Sequence, residues 1–192
     1  KIIAAASLYH WNSSAVSETA ALYPEMTVRE IPIELSGREV NAMLEHCYEK
    51  CLGQAEHIRN IKDIQKKEAF EVLIHGRIPV MQSTQCMKKT TGHCNKTSEE
   101  IWLEDKKGRK LPVTTHCREC YNLIWQEKPY DLIGEDLTGS IPYVTRHRFD
   151  LFHMSEKEIK EMKDRYLIWQ ENHFMCDLQK DDTEHHWNYG IE

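Results

Sequence analysis

No apolar run in this chain approaches the roughly 20 residues that cross a bilayer, so its 192 residues carry no written transmembrane helix. Nor does a positively charged segment lead into an apolar one, the mark of a secretory signal peptide. The H-E-x-x-H helix that seats a protease zinc is missing, and so is the G-x-S-x-G elbow of serine hydrolases. Internal repeats and low-complexity segments are missing too. Positive charge is in deficit: 25 Lys and Arg against 31 Asp and Glu give a net charge of −6. That excludes electrostatic capture of nucleic acid by the chain as a whole. A local basic patch stays open at Lys88, Lys89 and Lys96 and, across a hairpin, Lys106, Lys107, Arg109 and Lys110. Its alternative is a solvated charged turn.

What is present describes a globular protein, with 40% hydrophobic and 29% charged residues, rather than a disordered one. The length suits one domain with a sizeable core. The chain opens at Lys1 and enters a strand at once, which is expected of a piece of a longer protein. Cysteine is plentiful: seven, an odd number. Without a secretion signal this reads as a reducing, cytoplasmic compartment and metal or redox use, not a disulfide framework.

Four cysteines, Cys86, Cys94, Cys117 and Cys120, follow the spacing C-x7-C-x22-C-x2-C. A C-x2-C pair lets two thiolates of one tight turn reach one metal ion, and a second pair completes a tetrahedron. The seven-residue gap is loose, so a loop must close it. Two reduced pairs without metal, or disulfides, are the alternatives. Between the pairs, Ile101–Val113 reads as a hairpin turning at Asp105–Gly108, which carries the second pair back toward the first. His93 and His116 each adjoin a cysteine and offer a substitute ligand, the other reading being a supporting or exposed position.

Just upstream, Phe70, Val72 and Ile74 alternate with Glu71, Leu73 and His75, the period of a strand. On a barrel strand the first face would pack on helices, and Glu71 and His75 would line the catalytic mouth. A half-exposed antiparallel strand is the other reading.

Elsewhere, Ile2–Ala6 and Val28–Leu35 read as strands and Ala15–Leu22 as a helix. Ser36 and Glu39 form a capping box that starts a helix running to Cys51, which Gly53 ends. Cys47 and Cys51 lie on its apolar stripe as core residues. Residues 54–68 read as a solvated connection and 123–144 as irregular. Thr145–His153 reads as a strand. Ser155 and Glu158 cap a helix with Ile159, Met162, Tyr166 and Trp169 on one side. Cys176 reads as structural.

The run E-V-L-I-H-G (Glu71–Gly76) has a cysteine eleven residues after its histidine. With P-V-M-Q-S-T-Q-C ending at Cys86, K-T-T-G-H-C ending at Cys94 and L-P-V-T-T-H-C-R-E-C-Y-N from Leu111 to Asn122, it resembles the U32 peptidase family, the collagenase-like peptidases. Tyr9 and Asn12 match a family Tyr-x-x-Asn, and Pro32, Glu34 and Leu35 match P-x-E-L. Thr183, His186, Gly190 and Glu192 match a terminal motif in which His185 and Tyr189 replace the family's Gly and Arg.

The resemblance spans nearly the whole chain and the C-terminal half of a family member. It implies an α/β fold: the last strands of a (β/α)8 TIM-like barrel over 1–80, a four-cysteine module over 81–125, and an α+β extension over 126–192. It implies oxygen-independent hydroxylation of a tRNA or rRNA base or a related substrate, with prephenate as hydroxyl donor in some members. Collagenase-like proteolysis is the second implied activity, and a non-catalytic zinc clip is a third reading. Glu71 and His75 become acid–base or orienting groups, and Tyr9, Asn12 and Glu34 substrate contacts. The family's [4Fe–4S] cluster draws one ligand from a cysteine four residues after the histidine, where this chain has Pro79. Cys86, Cys94, Cys117 and Cys120 are therefore expected to hold either an iron–sulfur cluster or Zn2+. The implied partners are an RNA substrate and the N-terminal remainder of the protein, with no membrane.

Overall fold

The structure, a computed structural model, describes residues 2–54, 69–135 and 144–172, with the backbone alone at 48–54, 145 and 172. The expected connection over 55–68, Cys176 and the terminal motif from Thr183 to Glu192 lie outside the described residues, as does the Cys51 side chain.

In chain order the elements are β1 (Ile2–Ala4), a 3-10 turn (Ala6–Leu8), α1 (Ser13–Leu22), β2 (Met26–Glu30), α2 (Gly37–Gln54) and β3 (Ala69–Gly76). Then come β4 (Pro79–Ser83), a single helical turn α3 (Met87–Thr90), β5 (Glu100–Glu104), β6 (Lys110–His116), β7 (Tyr121–Trp125) and β8 (Tyr130–Asp131). β9 (Val144–Phe149) and α4 (Glu156–Asn172) close the series. Among the described residues no helix is long and apolar enough to cross a membrane.

Both capping boxes form. Ser36 donates its N–H and O–H to Glu39 at 2.8 and 2.7 Å, and its hydroxyl accepts the Glu39 N–H. Ser155 and Glu158 repeat the exchange at the head of α4. These bonds satisfy amides that a helix start leaves without intrahelical partners. Gly53 does not end α2, which runs to Gln54.

β1, β2, β3 and β9 form a parallel sheet in that order, so β3 is central. Its burial on both faces explains the near-continuous apolar run and excludes a half-exposed antiparallel strand. Phe70, Val72 and Ile74 share one core with Val40, Leu44 and Cys47 of α2 and Met162 and Trp169 of α4. β2 is shorter than the alternation over Val28–Leu35 suggests. Ile31 N–H still bonds Glu71 O at 2.8 Å, but Pro32 has no N–H to continue the ladder. β9 likewise stops at Phe149. Asp150 N–H caps it on His75 O, and the chain turns through His153, whose φ is +60°.

β4, β7, β6 and β5 form a separate antiparallel sheet. Its β5–β6 hairpin turns where expected: Asp105 accepts the N–H groups of Lys107 and Arg109, and Gly108 takes φ +80°. The region expected to be irregular holds two strands. β7 lies between β4 and β6, and β8 pairs antiparallel with the end of β3, His75 opposite Asp131 and Gly76 opposite Tyr130. The two sheets are tied together. The Arg77 guanidinium bonds the Gln126 carbonyl at 2.9 Å and that of Glu127. His153 bridges Glu100 at 2.9 Å and Thr114 at 3.3 Å, beside the Trp125 ring.

Candidate functional site

Parallel strands present their C-terminal ends together, and polar groups gather there. His75 is buried near the end of β3, with only 4% of its surface exposed. Its Nδ1 faces Asp131 Oδ2 at 3.4 Å, across the β3–β8 pairing. Asp131 also takes the Arg165 guanidinium at 2.9 Å and the Ile133 N–H at 2.9 Å. Burial alone would push the Asp131 carboxyl up. The His75 contact, the Ile133 amide and the charges of His75 and Arg165 outweigh it and hold the group below the usual carboxylate value. The contact lacks hydrogen-bond geometry at Nδ1 and sets the imidazole beside a carboxylate as an ion-pair neighbour.

The second pair spans the same end of the sheet. Glu30, the last residue of β2, is buried, accepts the Ala6 N–H at 3.0 Å and meets the Arg148 guanidinium of β9 at 2.7 Å. In register, Glu30 stands beside Glu71, Arg146 beside Glu71, and Arg148 beside Leu73. Because strand residues alternate between faces, Glu30, Glu71, His75, Arg146 and Arg148 share one face of the sheet.

The residues expected at the site divide. Glu71 and His75 lie two positions of one face apart, as their spacing implies. Glu34 sits in the turn after β2, where its charge, with that of Glu135 and above all burial, raises the Tyr130 hydroxyl. Tyr9 follows the turn after β1, 64% exposed, in a left-handed conformation and tilted against Trp11. The Asn12 side chain is committed to the backbone: it caps α1 by accepting the Ala15 N–H at 2.9 Å. Sequence reasoning passed over Glu30 and Asp131. Glu30 carried a signal, a carboxylate at the last strand position before a proline. Asp131 carried none, because its role comes from a strand of two residues.

The cysteines lie at one end of the antiparallel sheet. Ser83 pairs with Asn122, so the Cys86 loop leaving β4 and the Cys120 end of the β6–β7 turn are neighbours. Asn122 fastens them by donating its amide to the carbonyls of Ser83 at 3.3 Å and Gln85 at 2.8 Å. The Cys94 loop is fastened to the same turn. Cys117 N–H bonds Ser98 Oγ at 3.0 Å and its thiol donates to Thr97 O at 3.1 Å. Cys120 closes the turn with φ +56°. Cys86 Sγ accepts the Lys89 N–H at 3.4 Å and so caps the helical turn α3. Cys86, Cys94, Cys117 and Cys120 are all free thiols, and Cys47 lies in the core. Among the described residues no three His, Cys, Asp or Glu side chains stand close enough to hold one ion. Thiols are the donor type that a soft metal or cluster takes, but the structure does not gather these four around one point.

The neighbouring histidines and lysines divide. His116 stacks on Tyr121 with centroids 4.3 Å apart, and His93 is exposed. Lys88 does not belong to an exposed basic patch, being 4% exposed and paired with Glu99 at 2.5 Å. The Glu99 carboxylate holds its ammonium above the ordinary lysine value, with smaller contributions from Cys117 and Cys94. Arg109 is paired with Asp105 at 2.6 Å.

The arrangement therefore offers an imidazole beside a carboxylate, a buried carboxylate paired with a partly exposed guanidinium and, on the adjoining sheet, four thiols. Comparison with family models, with characterised proteins and with solved structures gives no match to this chain.

Proposed function

We propose that this chain is the C-terminal part of a TIM-type barrel enzyme of the U32 kind. Its reaction would be the oxygen-independent hydroxylation of an RNA base or a related substrate. The observation that carries the reading is that the His75–Asp131 and Glu30–Arg148 pairs both engage the C-terminal ends of parallel strands. Barrel enzymes keep their chemistry at that end. The strand order, in which chain neighbours among the parallel strands are also sheet neighbours, suits a barrel wall and not the reversed order of a doubly wound sheet.

His75, beside Asp131, would hold or accept a proton. Glu71 would orient the substrate on the same face. Arg148, already charge-paired, would offer its remaining N–H groups to an anionic group, the phosphate of RNA or the carboxylate of a hydroxyl donor such as prephenate. Cys86, Cys94, Cys117 and Cys120 would hold the metal. When bound, an iron–sulfur cluster would supply electron-transfer chemistry, whereas zinc would brace the antiparallel sheet. The exposed Lys89, Lys96, Lys106, Lys107 and Lys110 suit phosphate contacts that position RNA without reading its sequence.

The test is anaerobic purification followed by a visible spectrum and iron, sulfide and zinc analysis, with mass spectrometry of nucleosides from RNA treated with the protein. Iron and sulfide, with a hydroxylated uridine or cytidine that disappears in His75→Ala, is the expected result. One zinc without iron would make the cysteines a structural clip. Gelatin cleavage abolished by a single substitution would make the protein a protease.

A further inference from the structure

The turn that leaves β1 sorts its side chains by face. From Ser7 to Asn12 every residue is exposed except His10, which is 1% exposed. The His10 Nε2 lies 3.0 Å from the Thr19 hydroxyl of α1. With His10 plugged inward, Tyr9 and Trp11 stand outward on either side of it. They are 64% and 37% exposed, with ring centroids 6.3 Å apart and a tilt of 44°. Their backbone is fixed. Leu8 N–H bonds Ala5 O at 3.0 Å, Tyr9 N–H bonds Ala6 O at 2.9 Å, Trp11 N–H bonds Tyr9 O at 2.8 Å, and Asn12 caps α1. Tyr9 takes φ +51°, a left-handed conformation that a bulky residue seldom adopts and that persists only where its surroundings over-determine it. Two large rings are thus held in water by a strained, hydrogen-bonded turn.

The turn sits at the C-terminal end of β1, the same end of the parallel sheet as His75 and Arg148. One carboxylate joins it to the arginine. Glu30 Oε2 accepts the Ala6 N–H at 3.0 Å, and Glu30 Oε1 meets Arg148 Nη1 at 2.7 Å. The Arg148 side chain is 37% exposed, so two open rings and an open guanidinium share one sheet end. Rings offer π-faces and the guanidinium offers positive charge, the complement of a nucleotide's base and phosphate. We propose that Tyr9 and Trp11 form a stacking platform for an unpaired RNA base, with Arg148 at the same sheet end taking a backbone phosphate. The inference rests on the RNA reading above and adds the form of the substrate, a single strand or loop. A base inside an A-form helix keeps both faces in the stack and does not reach a platform. The tilt leaves no parallel slot between the rings, so a base lies on one ring face rather than between the two.

The rings are separable from the fold. Both are exposed, and neither belongs to the buried core. Tyr9→Asn deletes one ring and keeps a residue that tolerates left-handed backbone. Trp11→Ala deletes the other. Tyr9→Phe and Trp11→Phe each keep a π-face, so a stacking role requires that they bind RNA much as the parent does.

The experiment measures binding of a fluorescein-labelled oligouridine to the whole chain by anisotropy at fixed salt, beside the same strand annealed to oligoadenosine. The parent is expected to bind the single strand more tightly than the duplex. Tyr9→Asn and Trp11→Ala are each expected to lose about 5- to 100-fold in affinity, the range for removing one base–aromatic stack. The two Phe variants are expected to stay close to the parent, and circular dichroism should be unchanged in all four. Parental affinity in both ring-deleting variants overturns the platform and leaves the RNA reading standing. Phe variants as weak as the ring-deleting ones overturn stacking as the source of the affinity. A parent that binds neither strand overturns the RNA reading itself, so the two failures are told apart by which protein shows them. Sedimentation tests the other occupant of exposed rings, a second copy of this chain. A parental dimer that Tyr9→Asn dissociates, with RNA affinity unchanged, overturns the platform in favour of self-association.

Discussion

Arg148 reaches past the central strand to Glu30, its guanidinium 2.7 Å from a carboxylate oxygen of the strand on the other side of β3. The Glu30 side chain is 5% exposed and that of Arg148 37%, so the carboxylate depends on its partners more than the guanidinium does.

Breaking the pair from the arginine side should therefore cost more than an ordinary surface ion pair. Removing one partner of a buried pair costs about 3–5 kcal/mol, and the partial exposure of Arg148 places Arg148→Met near or below the lower figure. Glu30→Gln, which keeps an acceptor for the Ala6 N–H, should cost less. Urea unfolding of both single variants and the double variant gives the coupling. Additive effects would show that the two groups do not stabilise one another.

Asp131→Asn should remove the carboxylate beside His75 while leaving the β3–β8 pairing in place. If His75 acts as a general base, turnover should fall by roughly 100-fold or more, within the range that positioned acid–base groups supply. The RNA hydroxylation assay checks this, with its pH profile. A variant with parental turnover and an unshifted profile would reduce the contact to a structural one.

Acid should destabilise the fold in two stages. Burial, helped by the Arg29 charge, lowers His10 below its ordinary 6.5, and burial does the same to His147, whose Nδ1 lies 2.8 Å from the Tyr166 hydroxyl. The unfolded chain then protonates first. The stability tied to these two groups is complete above the unfolded value of 6.5 and is lost as pH falls through the lower folded values. The Asp131 contribution is present above the ordinary carboxylate value of 3.8 and is lost as pH falls below it, through its lowered folded value. Melting temperatures across this range should show the upper step, and His10→Gln with His147→Gln should flatten it. A step of parental size in the double variant would assign it to other groups.

Gly76 has no room for a side chain. A Cβ there would lie 2.6 Å from Asp150 Cβ and 3.1 Å from Asp150 O, and Asp150 N–H bonds His75 O at 2.8 Å. Gly76→Ala must separate the ends of β3 and β9, at about 1–3 kcal/mol for an overpacked site. The displacement passes to His75, so turnover should drop further than the loss of stability explains. Urea midpoints measured beside turnover make the comparison, and parallel losses would count against it.

The local parts of this fold were legible and the distant ones were not. Ser36 with Glu39 and Ser155 with Glu158 stand three residues apart, and the capping bonds follow from that spacing alone. The Asp105–Gly108 turn and the alternation of β3 are equally local. β7 was missed because one of its partners, β4, lies far back in the chain, and the other, β6, runs three residues past the Val113 at which the hairpin was expected to end. Its Asn122 looks like a loop residue until the carbonyls of Ser83 and Gln85 are set beside it. β4 was missed because Val80 and Met81 are exposed on an edge strand that begins with a proline. At the site, Glu71 and His75 were readable from one strand. Glu30 and Arg148 acquire meaning only when two strands flank a third. Lys88 looked like part of a charged surface because the acceptors that bury it are assembled by the fold of the loop.

The antiparallel sheet is inserted between β3 and β9, strands that are themselves hydrogen-bonded neighbours. Joining Phe70 to Val144 from an extended chain would mean closing a very long loop, with its entropy cost. If β4, β7, β6 and β5 pair first, the intervening chain is already compact and the ends of the gap are brought within reach. Anything that tightens the insert, a metal between its loops included, would then speed the arrival of β9, so the cysteines would set the pace of folding as well as the chemistry.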